Sequence, residues 1–254
     1  MNVDQAEFDI RCEWGQQGVD RLAPSSDVVI IVDILSFSTC VDIAVGRGAR
    51  VFPYRWHDPS AARFAASIGA ELAGGRRGET GYSLSPASLL AIPPGTRLLL
   101  PSHNGATLTF GSGATPTLSG CFRNSRAVAA AAQRYGRRIA VIPAAERWDD
   151  GSLRPAVEDW LGAGAIVSHL TGMRSPEARA AVAAYHHARA NLAELLKHCR
   201  SGQELLARGF EQDVLLAAAL DVSTCVPTLV DGAYVHAEGS PPVRPLQQGQ
   251  GRPA

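Results

Sequence analysis

The sequence predicts an α/β fold, a layered α/β/α arrangement around a mostly parallel sheet, and three observations carry that expectation. Val28-Val29-Ile30-Ile31-Val32 is an unbroken β-branched run, the pattern of a strand covered on both faces. Short apolar runs of this kind alternate along the chain with alanine-rich segments of helical period. With 254 residues, 46% of them hydrophobic, the chain buries roughly 70% of the surface it would expose unfolded, so its core needs neither disulfides nor a structural metal.

In chain order, strands are expected at Phe8 to Glu13, Val28 to Val32, Arg50 to Tyr54, Arg97 to Leu100, Arg138 to Ile142 and Pro227 to Val230. The first helix follows Asp33 and runs through Val41, Ile43 and Ala44 to the glycines Gly46 and Gly48. Further helices are expected at Pro59 to Ile68, Ser125 to Tyr135, Pro155 to Leu170, Pro176 to Leu196 and Glu211 to Leu220. Gly74 to Pro94 breaks the rhythm with glycines and prolines, and a long irregular loop in a compact domain is usually a functional one. From Gly172 to Cys225 the chain reads as almost all helix, which suits a helical cover or a second lobe. The expected organisation is therefore one domain over residues 1–237, with two lobes meeting near 140–172 and the site between them. Residues 238–254, rich in Pro, Gly and Gln, read as a disordered tail.

Composition excludes several functions. The 24 Lys plus Arg balance 24 Asp plus Glu, and no basic run stands out, which argues against a nucleic-acid or membrane-surface binder. No segment has the roughly 20 apolar residues of a membrane span, and the N-terminus lacks the order of a signal peptide, so a cytoplasmic location is expected. The five cysteines are scattered and never in CxxC spacing, which suits small buried hydrophobes better than a disulfide framework or zinc site. Lys197 is the only lysine and no GxxxxGK precedes it, so there is no P-loop. Gly81-Tyr82-Ser83-Leu84-Ser85 lacks the last glycine of a nucleophile elbow. Cys121 is followed six residues on by Ala127, where a cysteine-dependent phosphatase needs arginine, and Leu35 stands where a haloacid-dehalogenase site needs a second aspartate. His186 and His187 would point about 100° apart on a helix, and His169 has no evident partner.

The remaining candidates gather at expected strand and helix ends, where α/β sheets bind ligands and helix N-termini offer free N–H groups to anions. Asp33 ends the buried strand and precedes Ser36, Ser38 and Thr39. A carboxylate there suits a hard cation and the hydroxyls suit phosphate oxygens, though Asp33 or Ser36 would serve equally as a helix cap. Glu158 and Asp159 lie in the first turns of the helix after Pro155, and Asp159 faces small apolar neighbours. A carboxylate aimed into such a face needs a metal or an arginine to meet it, while a simple dipole role suits Glu158 better. The loops at Gly74-Gly75-Arg76-Arg77, Ser102-His103-Asn104-Gly105 and Arg123-Asn124-Ser125 supply guanidinium and amide donors for anions. The Asn104-Gly105 pair is also a common turn dipeptide.

Taken together these pieces resemble the 2-phosphosulfolactate phosphatase family, the magnesium-dependent phosphatases of coenzyme M biosynthesis. The matching blocks are Val32-Asp33-Ile34-Leu35 with Ser38-Thr39, Ala73-Gly74-Gly75-Arg76 leading to Leu84-Ser85-Pro86, and Asn104-Gly105-Ala106-Thr107. Next come Arg123-Asn124-Ser125-Arg126-Ala127-Val128, Val157-Glu158-Asp159 with Ala163-Gly164-Ala165-Ile166, and Gly209-Phe210-Glu211-Gln212-Asp213-Val214 with Val226-Pro227. They run collinearly over nearly the whole chain. The resemblance implies an α/β fold, Mg²⁺, and hydrolysis of the phosphate ester of a small sulfonated 2-hydroxy acid.

By position, it makes Asp33 and Asp159 the metal ligands, with Glu158 as second choice. One of these three acids would orient or deprotonate the attacking water. Ser38, Thr39, Asn104 and Gly105 would hold the phosphoryl group, and Arg76 and Arg123 would neutralise substrate anions. Asp213 matches a family acid near the site. The implied partner is a small phosphorylated, sulfonated or carboxylated metabolite, with no nucleic acid or membrane, and a homo-oligomer is compatible with it. Ser36 stands where the family usually has arginine, Gly75 replaces the glutamate of a Gly-Glu-Arg, and Ala144-Ala145-Glu146-Arg147 replaces an Ala-Gly-Arg. The alternative is a catalytically inactive or substrate-shifted anion-binding protein on the same fold.

Overall fold

The computed structural model describes residues 4–74 and 81–236. The chain opens with β1 (Ile10–Cys12), α1 (Gly15–Leu22), β2 (Val28–Val32), α2 (Phe37–Gly46), β3 (Arg50–Tyr54), α3 (Pro59–Ser67) and β4 (Glu71–Leu72). It continues through β5 (Arg97–Pro101), α4 (Gly105–Gly111), β6 (Thr117–Gly120), α5 (Ser125–Ala132), β7 (Ile139–Pro143), β8 (Glu146–Arg147), β9 (Leu153–Arg154) and α6 (Val157–Ser168). The last part is helical until the closing hairpin: α7 (Pro176–Ala188), α8 (Leu192–His198), α9 (Arg200–Ala207), α10 (Glu211–Ala218), β10 (Pro227–Val230) and β11 (Ala233–His236).

Nine strands form one sheet in the order β1-β7-β2-β6-β10-β11-β3-β5-β4. The first four run parallel, as do β3, β5 and β4, so the sheet is mostly parallel as expected. The antiparallel hairpin β10–β11 joins the two blocks through Thr228 opposite Leu118 and Tyr234 opposite Val51. Along the hydrogen-bonded order the two parallel blocks therefore run in opposite senses.

Strand β2 shows why its sequence is unbroken. All five residues are fully buried, and alternate side chains serve different cores. Ile30 and Val32 pack with Leu118, Val141 and Ile166 under α5 and α6, whereas Val29 and Ile31 pack with Val19, Leu22 and Leu108 from α1 and α4. Each such side chain contributes about 1.5–3 kcal/mol through burial. Helix α2 crosses from one block to the other, with Phe37 to Val45 buried and Val41 and Ala44 packed against Val51, Leu98 and Tyr234.

Several expectations are revised. The α6 helix begins at Val157, after Pro155 and Ala156, and the segment expected as one helix over Pro176 to Leu196 is divided by a 3₁₀ turn at Arg189–Asn191. Central strand β6 was not expected, because Thr-Leu-Ser-Gly carries too little apolar or β-branched signal. All five cysteines are buried and free, as expected. Among the described residues no helix is long and apolar enough to cross a membrane. The expected tail at 238–254 lies outside the described residues.

Candidate active site

The end of β2 meets the loop after β5 at Asp33. Its carboxylate is 8% exposed and accepts hydrogen bonds from the amide N–H groups of Phe37 (3.3 Å) and Gly105 (3.0 Å). Gly105 must be glycine here, since a Cβ would collide with the Phe37 ring. That close approach brings the N-terminus of α4 onto Asp33. Gly105 N–H is shared with Ser102 Oγ at 3.1 Å.

Asp159 reaches the same place from α6. Its two oxygens accept from the amides of Ile34 (2.7 Å) and Ala145 (2.9 Å), tying α6 to the loops after β2 and β7. Helix α6 gets close enough because Gly162 leaves room for Ile34, whose Cγ1 would lie 2.9 Å from a Cβ at that position. The apolar face expected around Asp159 is thus met by backbone amides. Burial raises the Asp159 carboxyl well above the usual carboxylate range, Asp33, Glu158 and Glu146 push it further, and the Ile34 amide opposes them. Ala145 holds its amide in place with φ at 65°, a left-handed conformation that costs an L-residue about 1–2 kcal/mol.

Beside these acids opens a cleft of about 730 Å³, lined by Trp14, Arg21, His103, Asn104, Glu146 and Arg147 among others. The two loops share a layout. Asn104 lines the cleft while the next residue, Gly105, ties to Asp33; Ala144 lines it while the next residue, Ala145, ties to Asp159. Asn104 Nδ2 donates to Glu146 Oε2 at 2.9 Å, closing the wall between the loops.

The structure therefore brings together Asp33, Asp159, Asn104 and Gly105, with Glu158 buried next to Asp159 on α6. It gives other candidates different partners. Ser38 Oγ is fully buried, accepting from Asp33 N–H and donating to the Ile31 carbonyl, and Thr39 Oγ1 donates to the Ile34 carbonyl. Both hydroxyls brace the turn before α2. Arg123 pairs with Asp42 at 2.8 Å, donates to the Leu216 carbonyl at 3.2 Å, and lines a separate groove of about 360 Å³ with Arg47 and His236. Arg76 lies outside the described residues. Asp213 accepts from Ser85 Oγ (2.7 Å) and the Ala87 amide (3.0 Å), so α10 anchors the end of the irregular loop. His169, for which the sequence suggested no partner, sits 3.4 Å from Asp221.

Sequence reasoning missed Asp42 and Glu146. Asp42 had no readable signal, since only folding shows that it meets Arg123. Glu146 had one: it follows strand β7 at its carboxyl end, the location that singled out Asp33. Among the described residues no three His, Cys, Asp or Glu side chains form a ready-made metal cage. Asp33 and Asp159 nevertheless offer hard carboxylate oxygens, and small divalent cations commonly take one or two of these, completing their shell with water and ligand phosphate.

A mostly parallel α/β sheet with buried acids gathered at its strand ends, and an open cleft next to the loops that hold them, defines an α/β protein with its candidate site at the carboxyl ends of the strands. A family model described as 2-phosphosulpholactate phosphatase matches residues 18–232. The 2-phosphosulfolactate phosphatase of Methanothermobacter thermautotrophicus is 31% identical over 209 residues, covering 82% of this chain and 88% of the relative. The probable 2-phosphosulfolactate phosphatases of Carboxydothermus hydrogenoformans and Pseudothermotoga lettingae are 29% and 26% identical, each over 82% of this chain and covering 89% and 92% of the relatives. The chain belongs to the 2-phosphosulfolactate phosphatase family.

Proposed function

We propose that this protein hydrolyses the phosphate ester of a small anionic 2-hydroxy acid, with 2-phosphosulfolactate the leading substrate and Mg²⁺ the cofactor. The observation that carries this reading is the convergence of Asp33 and Asp159, from sequence-distant elements, beside an open cleft in a chain of this family. The pair would hold Mg²⁺ through their carboxylate oxygens. When bound, the ion supplies charge stabilisation at the phosphoryl oxygens. Asn104 orients the substrate at the cleft wall, and Arg21 and Arg147 on the cleft lining take the remaining anionic groups. They fill the part expected of Arg123, whose guanidinium is committed to Asp42. Asp33, Glu158 and Asp159 supply the carboxylate that orients the attacking water and receives its proton.

Phosphate release, with Mg²⁺ or with EDTA, across 2-phosphosulfolactate, phospholactate, phosphoglycerates and aryl phosphates tests this. Mg²⁺-dependent release, fastest on 2-phosphosulfolactate, is expected, and no turnover on any ester overturns the reading. Binding has its own readout, because Mg²⁺ that binds the folded state raises Tm. The Asp159 carboxyl titrates above its unfolded value of 3.8, so its protonated form favours the folded state, and that contribution is lost as pH rises through the folded value. Cation and proton compete for the same oxygens. The Mg²⁺-induced rise in Tm therefore grows as pH rises through the folded Asp159 value, and a shift independent of pH argues against Asp159 as a ligand. The second reading, a substrate-shifted or inactive anion binder, draws on the buried Ser36 at the family's arginine position. It predicts stabilisation by phosphosulfolactate without turnover.

A further inference from the structure

Resting on the phosphatase reading, we propose that Glu146 is the general acid that protonates the leaving-group oxygen of the substrate ester. Glu146 is half-buried in the cleft wall, where Asn104 Nδ2 holds its Oε2 at 2.9 Å. It is joined by one peptide bond to Ala145, whose amide fixes Asp159, so the same short loop sets both the buried acid pair and this cleft-facing carboxyl. Asn104 and Ala144 line the cleft one residue before the amides that hold Asp33 and Asp159, so a substrate whose phosphoryl group is drawn toward those acids would have its ester oxygen along this wall.

The surroundings suit proton donation. Burial pushes the Glu146 carboxyl up, Glu158 on α6 and Glu204 on α9 add to the effect, and Asn104 and Arg154 pull the other way. Arg154 is the residue directly across from Glu146 in the β8–β9 hairpin, yet its guanidinium lies 5.8 Å from the centre of the Trp148 ring, stacked on that face. Glu13, Arg21 and Arg147 complete the charged lining of the cleft, with the His103 imidazole beside them.

The step balances. Water oxygen forms the new bond to phosphorus as the bond from phosphorus to the ester oxygen breaks, and the bonding pair passes to that oxygen. The Glu146 proton caps it, releasing a neutral alcohol instead of an alkoxide. The proton lost by the attacking water passes to the buried carboxylate that orients it and then through cleft solvent back to the Glu146 carboxylate. Ester and water become alcohol and phosphate, with no further reactant. The protonated carboxyl is the working form, so activity falls as pH rises through its pKa.

Glu146→Gln tests the role, since glutamine still accepts from Asn104 but carries no acidic proton. Two esters separate the outcomes: 2-phosphosulfolactate, whose alkoxide needs a proton, and 4-nitrophenyl phosphate, whose phenolate leaves unaided. In E146Q, kcat on 2-phosphosulfolactate falls about a hundredfold or more, the basic limb of its pH profile disappears, and 4-nitrophenyl phosphate turnover is little changed. Glu146→Asp, which keeps the proton, recovers part of the loss, and an unchanged melting temperature confirms that both variants fold. Equal loss on the two esters, or loss on neither, overturns the role of Glu146 while leaving the phosphatase reading intact. Wild-type protein that turns over neither ester overturns that reading itself.

Discussion

Helix α2 connects two buried acidic places that are held in opposite ways. At its N-terminal side, Asp33 and Asp159 accept hydrogen bonds from backbone amides, and the charges that weigh most on Asp159 are other acids. Further along the same helix, Asp42 is 1% exposed and meets Arg123 at 2.8 Å and Ser223 Oγ at 2.7 Å. Burial raises both the Asp42 and Asp159 carboxyls, but Arg123 and Ser223 act against it at Asp42. A buried acid given its own cation braces the fold. Acids massed together and met by backbone amides leave negative potential for a ligand to meet.

The strongest test of this contrast is kinetic. Asp33→Asn should lower Mg²⁺-dependent phosphate release by about a hundredfold or more, because it removes a carboxylate that would hold the charge-stabilising cation. Arg123→Met, assayed at a temperature where the variant is folded, should change kcat far less. Equal losses would erase the distinction between the two ends.

Stability should show the reverse order. Arg123→Ala leaves Asp42 buried without its cation, and breaking such a pair costs about 3 kcal/mol, at the low end of the usual range because Arg123 keeps 15% exposure. Urea unfolding at neutral pH measures it. A cost below about 1 kcal/mol would show that solvent already screens the pair.

The smallest effect sharpens the acidic end. Ala145→Gly relieves the left-handed backbone that presents an amide to Asp159, against the larger unfolded-state freedom of glycine. A gain of a few tenths of a kcal/mol in thermal unfolding is expected, with activity retained. A loss would mean that the alanine methyl contributes packing that outweighs the strain.

Local pattern decided much of this protein. The Val28 to Val32 run could only be a strand covered on both faces, because so many β-branched side chains in a row leave no polar face for water. The placement of Asp33 at its end, and of Glu158 and Asp159 in the first turns of a helix, followed from boundaries that Asp33 and Pro155 mark in the sequence. What the sequence could not decide was pairing across distance. Ser38, Thr39 and Arg123 carry the right chemistry for phosphate, yet folding turns their polar atoms to Ile31, Ile34, Leu216 and Asp42. The opposed senses of the two parallel blocks also escaped, because the hairpin that joins them meets each by one residue pair. Hydrophobic period depends on neighbours a few residues apart and is written locally. The partner of a buried donor or charge depends on which distant segment tertiary packing brings within 3 Å, and only the folded chain supplies that.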